Sequence, residues 1–294
     1  MKSLQGIFSA IVTPFDSSGQ LDIEALKANF SLWNKTGLAG YLVLGSTGEV
    51  VHLDEKEKLT VLAAARESIP AHMPMIVGTG MHSTDATVAF TKLAAQCAAD
   101  YALVVTPHYF KSSMTSAALT NYYYKVADTS PIPVLLYSVP QFTGLALSPE
   151  LIAKLAEHPN IVGIKDSSGD MRVLIQTISL VNSEFSVLTG SAPILYPALT
   201  IGAQGAILAV GNFAAKLCYE IFQAFSSQQA ETAQNEQLKL LTLSEQIASR
   251  YGVGGIKYAM DVLGYHGGTV RSPLLMPDLA AQTAIQTTLN NFQL

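Results

Sequence analysis

Short apolar segments alternate with longer amphipathic ones along most of the chain. The apolar segments are rich in β-branched residues and mostly continuous, which is typical of strands covered on both faces of a parallel sheet. Eight of them occur at a fairly even spacing: Ile7–Thr13, Gly40–Gly45, Met75–Gly80, Tyr101–Thr106, Val134–Val139, Ile161–Asp166, Phe185–Gly190 and Gly205–Val210.

The segments between these strands carry helix-start signals. Asp22 precedes one amphipathic run, and Asp54 and Glu57 have the spacing of a capping box before another. Ser148 precedes Pro149, which suits the first position of a helix. Eight strands alternating with helices predict an α/β fold, a closed (β/α)₈ TIM barrel. An open doubly wound sheet is the alternative.

The strand pattern stops after Val210, and the remaining chain reads as helical. We therefore predict a barrel that carries the active site over residues 1–225 and a C-terminal helical extension over residues 226–294, packed as one rigid body. The predicted helices are Ala214–Phe225, Ala230–Arg250, Gly255–Leu263 and Leu279–Asn291.

Composition narrows the classes of function. Hydrophobic residues make up 49% of the chain and charged residues 13%, yet no apolar run reaches membrane-spanning length. The net charge of −5 and the lack of a basic cluster argue against a nucleic-acid partner. Two cysteines, Cys97 and Cys218, form no motif, and the first residues lack the layout of a signal peptide. We expect a cytoplasmic protein with no membrane partner.

Lys165 is the most informative single residue. It is the second-last residue of the apolar strand Ile161–Asp166, where a lysine is rare unless it is paired or needed. Burial disfavours the ammonium form, and a free amine can attack a carbonyl carbon to form a Schiff base. The alternative is an ordinary strand-end lysine that extends to solvent.

Functional residues of a parallel barrel come from the carboxyl ends of the strands. Strand two ends in Gly45-Ser46-Thr47-Gly48-Glu49, whose hydroxyls and backbone N–H groups suit a carboxylate, although a plain polar turn would look the same. Tyr137 ends strand five, where it could carry a proton or simply pack. The six histidines lack metal-ligand spacing, so we expect no metal site.

Three motifs in this order resemble the dihydrodipicolinate synthase / N-acetylneuraminate lyase superfamily. They are Gly-Ser-Thr-Gly-Glu at 45–49, Tyr-x-x-Pro at 137–140 and Gly-Ile-Lys-Asp-Ser at 163–167, and the resemblance runs from Ile7 to about Leu275. The resemblance implies a class I, pyruvate-handling aldolase on a (β/α)₈ barrel. It also implies a homotetramer built as a dimer of dimers and no cofactor, because the substrate is bound covalently.

The resemblance also implies roles for individual residues. Lys165 would be the Schiff-base lysine and Tyr137 the proton-relay tyrosine. Ser46 and Thr47 would bind the carboxylate of a 2-oxo acid and join the relay. Tyr109 matches a catalytic tyrosine that family members lend across a subunit interface.

Further residues belong to the predicted substrate-binding set, and two of them depart from the patterns of subfamilies. Gly48, Ser167 and Gly190 match positions close to the bound 2-oxo acid. Phe142 stands where dihydrodipicolinate synthases usually carry arginine, and it cannot pair with a carboxylate. Ser191 stands where neuraminate lyases usually begin an acidic pair.

Several segments are instead similar to 4-hydroxy-2-oxoglutarate aldolases, which makes this the preferred subfamily. We therefore predict cleavage of 4-hydroxy-2-oxoglutarate to pyruvate and glyoxylate. The alternatives are condensation of pyruvate with aspartate semialdehyde and a non-catalytic barrel that binds a 2-oxo acid. The similar segments are Ser116–Leu119, Lys125–Asp128, Ser130–Pro133, Tyr137–Pro140, His158–Gly163, Gly255–Lys257 and Leu263–Gly268.

Overall fold

The computed structural model describes residues 2–292, and in it eight parallel strands close into a barrel in chain order. Each strand pairs with the next, and β8 pairs with β1 through Phe8 and Ile207. The closed barrel is confirmed, and the open sheet is wrong. The strands are β1 Gly6–Ala10, β2 Gly40–Val43, β3 Met75–Gly78, β4 Tyr101–Val105, β5 Val134–Ser138, β6 Ile161–Asp166, β7 Ser186–Thr189 and β8 Gly205–Leu208.

Helices follow the strands and cover the outside of the barrel. The predicted capping box is present, because the Asp54 carboxylate accepts from the Glu57 N–H and the Glu57 carboxylate accepts from the Asp54 N–H. The helices between strands are α1 Ile23–Trp33, α2 Glu55–Ser68, α3 Thr84–Gln96, α4 Ser116–Thr129, α5 Pro140–Thr143, α6 Pro149–Leu155, α7 Met171–Leu180 and α8 Leu195–Thr200.

Apolar side chains form two layers, as the continuous strand pattern requires. One layer fills the barrel interior with residues such as Phe8, Leu42 and Leu135. The other lies between the strands and the surrounding helices, where Trp33 and Phe30 are fully buried. Because both strand faces are covered, a polar side chain on a strand is buried unless it reaches the rim of the barrel.

The C-terminal region is helical, as predicted, but one of its predicted α-helices is interrupted. A helix was expected to run from Ala230 to Arg250, whereas a π-helical stretch, Ser244–Ser249, interrupts it. The run Gly252-Val253-Gly254-Gly255 follows a predicted helix, and its glycines predict a turn; the structure places it within a helix, with a break at Gly252, where φ is 59° and ψ is −148°. The helices are α9 Ala215–Ser226, α10 Ala230–Leu243, α11 Arg250–Val262 and α12 Leu279–Asn291.

The C-terminal helices share a hydrophobic cluster with the barrel. Leu240, Ile247 and Ile285 belong to the same cluster as Ile7 of β1. The division at residue 225 stays a prediction. Across residues 2–292, no helix is both long and apolar enough to cross a membrane.

Candidate active site

Lys165 and Tyr137 are neighbours across two paired strands. The register of β5 and β6 sets Tyr137 opposite Lys165, and each residue is only 5% exposed. The Lys165 Nζ lies 4.4 Å from the centroid of the Tyr137 ring. Both side chains point into the barrel at its carboxyl rim, so Lys165 does not extend to bulk solvent.

Ser46 and Thr47 lie on the tight turn that follows β2. The Gly48 N–H donates to the Gly45 carbonyl over 3.0 Å, and the Glu49 N–H donates to the Ser46 carbonyl over 3.1 Å. These bonds close the turn, and Ser46 and Thr47 line the same cavity as Lys165. Gly48 does not line that cavity, and its carbonyl accepts from the Thr13 hydroxyl over 2.8 Å. Its role in substrate binding stays a prediction.

Gly190 brings the backbone after β7 against Lys165 and Ser167. A Cβ added at Gly190 would lie 1.9 Å from the Ser167 Oγ and 2.8 Å from the Lys165 Cε. The Gly190 N–H donates to the Asp166 carbonyl over 2.6 Å, which fixes this approach. A Cβ at this position would force the Ser167 and Lys165 side chains to shift, so the backbone of Gly190 forms one wall of the cavity beside the lysine.

Asp166 follows Lys165 in the strand but does not line the cavity, because successive strand residues point to opposite faces. Its Oδ1 accepts from the Ser168 N–H over 2.9 Å, which shapes the turn after β6. Burial raises the pKa of the Asp166 carboxyl, while the bonds from Ser168 oppose that rise. The Oδ2 atom is buried and has no hydrogen-bond partner among the residues that the structure describes.

The cavity has a volume of about 420 Å³ and lies at the carboxyl ends of the strands. Lys165 is the only charged residue among the described residues that line it. Its inner part contains Ser46, Thr47 and Tyr137 next to the lysine amine. This arrangement places one amine, one phenol and two hydroxyls around a space large enough for a small molecule.

The outer wall of the cavity comes from the C-terminal region, which sequence reasoning did not assign to the site. Ser244, Ala248 and Ser249 of the π-helical stretch line it, and so do Gly252 and Val253 beyond them. π-Helical turns occur frequently at functional sites. In this region the sequence offered the glycine run at 252–255, which predicts a turn, and the similarity of Gly255–Lys257 to aldolases, and neither indicated a contact with the barrel rim.

Two predicted residues lie at or beyond the mouth of the cavity. Phe142 lines the cavity but is 68% exposed, and its neighbour Gln141 donates a hydrogen bond to the Ser167 carbonyl. Tyr109 does not line the cavity and is 76% exposed, with its ring 5.0 Å from that of Phe110. Within one chain, Tyr109 is therefore separate from the other candidate residues.

The fold and the site define a class of protein: a (β/α)₈ barrel with a buried lysine in a pocket at the carboxyl ends of its strands. The chain belongs to the dihydrodipicolinate synthetase family, whose sequence pattern matches residues 3–292. Members of this family are lyases, aldolases or synthases, and the chain is an enzyme of this kind.

Two curated relatives with different names are similar to the chain at nearly the same sequence identity. The chain is 33% identical over 287 residues to the 4-hydroxy-tetrahydrodipicolinate synthase of Exiguobacterium sp., covering 98% of this chain and 97% of the relative. It is 32% identical over 286 residues to a protein named as a probable mitochondrial 4-hydroxy-2-oxoglutarate aldolase of Emericella nidulans, covering 96% and 92%. More of the similar curated relatives are named as synthases than as aldolases. They therefore support the synthase alternative better than the preferred aldolase.

A solved structure extends the similarity to the whole fold. YagE of E. coli K12, a prophage protein of the dihydrodipicolinic acid synthase family solved in complex with pyruvate, is similar with a TM-score of 0.93. The identity is 30%, and the match covers 99% of both chains.

Proposed function

We propose that this enzyme forms a Schiff base between Lys165 and pyruvate and then makes or breaks a carbon–carbon bond next to the imine. The observation that carries the proposal is the buried Lys165 amine in a cavity, 4.4 Å from the Tyr137 ring. Ser46 and Thr47 line the same cavity and offer hydroxyl donors for the pyruvate carboxylate.

The reaction begins when the Lys165 amine adds to the C2 carbon of pyruvate. The carbonyl oxygen leaves as water, and the resulting cationic iminium draws electrons from C3, so that loss of a C3 proton gives an enamine. The enamine carbon attacks the carbonyl carbon of an aldehyde, whose oxygen takes up a proton. Water then hydrolyses the iminium and releases Lys165. The reverse sequence cleaves a 4-hydroxy-2-oxo acid.

Tyr137 carries the protons in this scheme. Its strand neighbours Lys165, so the phenol and the amine share one end of the cavity. A tyrosine in that position supplies a proton to the departing or newly formed oxygen and recovers it later, with Ser46 or Thr47 as the next group in the relay. The protonated imine is the electron sink, so the proposed cycle needs no organic cofactor or metal. Activity retained after exhaustive dialysis against a chelator is the expected result.

The second substrate is an aldehyde, and we propose aspartate semialdehyde as the first candidate. The names of the similar curated relatives favour this synthase reaction. The outer cavity offers hydroxyl and amide groups from Ser191, Ser249 and Gln141 and, within residues 2–292, no second cation. A carboxylate on the aldehyde would therefore be held by neutral donors.

Cleavage of 4-hydroxy-2-oxoglutarate is the second candidate. The relative from Emericella nidulans bears the aldolase name, and Phe142, which lines the cavity, stands where the resemblance to synthases would place an arginine. Two assays separate the candidates: condensation of pyruvate with aspartate semialdehyde, and pyruvate release from 4-hydroxy-2-oxoglutarate measured with lactate dehydrogenase. Binding of pyruvate without turnover in either assay would favour the non-catalytic alternative.

The Schiff base itself is tested by borohydride reduction in the presence of pyruvate, followed by peptide mass mapping. The adduct is expected on Lys165 and is expected to disappear in Lys165→Ala. Lys257 is an internal control, because it is also a buried lysine but is ion-paired with Glu49. An adduct on Lys257, or none on Lys165, would contradict the proposal.

We also propose that the enzyme is a cytoplasmic homotetramer in which Tyr109 meets a second copy. The exposure of Tyr109 and Phe110, 76% and 70%, supports this proposal because large aromatic side chains are enriched at subunit interfaces. Light scattering after size exclusion measures the assembly, and Tyr109→Ala is expected to weaken it. A monomer with full activity would refute the proposal.

A further inference from the structure

A fully buried ion pair joins the loop after β2 to the C-terminal region. The Lys257 Nζ lies 2.6 Å from the Glu49 Oε1, and both side chains are 0% exposed. The same ammonium donates to the Thr13 carbonyl over 2.8 Å and to the Thr269 carbonyl over 2.6 Å. Its three protons are therefore matched by three acceptors.

The other carboxylate oxygen of Glu49 is also bound. Its Oε2 accepts from the Arg271 backbone N–H over 3.0 Å and lies 3.2 Å from the His52 Nδ1. One carboxylate thus ties the β2 loop to α11 and to the segment before α12. The bonds from Lys257 and Arg271 both come from the C-terminal region.

Glu49 adopts an unusual backbone conformation in that loop. Its φ is +53°, in the left-handed region that non-glycine residues seldom enter. Such conformations persist only when their surroundings hold them. The Glu49 N–H donates to the Ser46 carbonyl, and Thr47 lies between the two, so the conformation of Glu49 bears directly on both hydroxyl residues.

Stability alone is a weak reason for this arrangement. The desolvation of two buried charges often cancels their attraction, so an apolar pair of similar volume can be as stable. Burial lowers the pKa of Lys257, and the charge of Glu49 only partly offsets this effect. The desolvation cost and the attraction of the two charges therefore act against each other. Positioning of a specific loop is the better-supported role.

We propose that the Glu49–Lys257 pair is a positioning clamp that holds Ser46 and Thr47 in the geometry needed to bind the pyruvate carboxylate. This inference rests on the proposed function. Lys257 lies on α11, and its neighbour Ile256 lines the cavity directly. The C-terminal extension therefore contributes to the site twice, through its outer wall and through the clamp.

The test compares Glu49→Gln with the double variant Glu49→Gln/Lys257→Met. The double variant removes both charges, so that neither is left buried and unpaired, and it remains informative if the single variant does not fold. In the folded variants we expect the KM for pyruvate to rise about tenfold, the effect of about 1.4 kcal/mol of lost binding. At saturating pyruvate, borohydride trapping on Lys165 should stay within about threefold, because Lys165 is intact, whereas kcat should fall because Ser46 and Thr47 also belong to the proposed relay.

Asp100→Asn is the matched control. Asp100 forms an ion pair of 2.8 Å with Lys2 and also accepts from the Met75 N–H, but it lies at the amino-terminal end of the strands, away from the cavity. Its loss is expected to lower the melting temperature and leave the KM for pyruvate unchanged. A merely structural role for Glu49 would give the same pattern as this control.

Amide hydrogen exchange supplies a readout that needs no substrate. In the double variant, the amides of residues 46–49 should exchange at least about tenfold faster than in the wild type, while those of β6 should not change. A folded variant with wild-type loop exchange and an unchanged KM for pyruvate would overturn the clamp. If the wild type is not trapped by pyruvate, the proposed function fails, and loop exchange still decides whether the clamp exists.

Discussion

Gly190→Ala tests the geometry around Lys165 most directly. The new methyl group would lie 1.9 Å from the Ser167 Oγ and 2.8 Å from the Lys165 Cε, whereas carbon contacts are favourable at about 3.5–4.0 Å. Gly190 does not have a positive φ, so alanine has no conformational penalty there and the clash is the cause of any effect. Ser167 must move by roughly 1.5 Å and the lysine by roughly 1 Å to relieve it.

These displacements set the expected magnitudes. A shift of roughly 1 Å in a reacting group can lower the rate about 10²-fold, and we expect a loss of that size in kcat/KM. Overpacking of this kind destabilises a fold by about 1–3 kcal/mol, measured by thermal or denaturant unfolding. The pyruvate-coupled assay and borohydride trapping on Lys165 report the catalytic loss.

Two further variants distinguish a clash at Gly190 from a general loss of stability. Ser167→Gly in the Gly190→Ala background removes the nearest clashing atom, and it should recover part of the lost stability. Gly163→Ala is the control, because its Cβ would lie 2.5 Å from the Ser186 carbonyl but Gly163 does not line the cavity. It should cost stability without changing kcat/KM of the folded enzyme. Wild-type activity in Gly190→Ala would refute the close approach of Gly190 to Lys165.

Three further predictions concern individual contacts. Tyr137→Phe should lower kcat about 10²- to 10⁴-fold while borohydride trapping with pyruvate persists, and full turnover would exclude the proton relay. Thr47→Val should raise the KM for pyruvate about 10- to 100-fold, the effect of one hydrogen bond to a charged group, with Thr60→Val as a surface control. Arg271 holds the pKa of Glu57 below its usual 4.5, so this carboxylate stabilises the fold above about pH 4.5, and its contribution is lost as the pH falls through the lowered pKa. Glu57→Gln should flatten that acid limb of the melting temperature, and an unchanged pH profile would contradict the assignment.

Local patterns in the sequence were enough for the fold and for the centre of the site. Continuous apolar runs predicted all eight strands, because a parallel sheet covered on both faces leaves its strands no polar side. The closed barrel then places strand ends together, which is why Lys165 and Tyr137 could be paired from the sequence before their register was known. Ser46 and Thr47 followed from the same rule.

The sequence did not predict contacts between segments that are far apart in the chain. The motif around Glu49 did not predict its contact with Lys257, because the two residues are 208 positions apart in the chain. Lys257 lies in a helix, and the rule that strand ends of a barrel meet at one rim does not apply to it. The exposed position of Tyr109 likewise depends on how the loop after β4 leaves the barrel.

The sequence by itself determined the barrel, the order of its strands and the position of a lysine at its rim, since these depend on periodicity and on residues at strand ends. Only the tertiary structure decided how the cavity is closed. Its outer wall comes from a π-helical stretch and from α11, and its inner wall needs Gly190 to lie against Lys165. Both depend on packing between segments far apart in the chain, and local hydrophobic patterns carry no information about such packing.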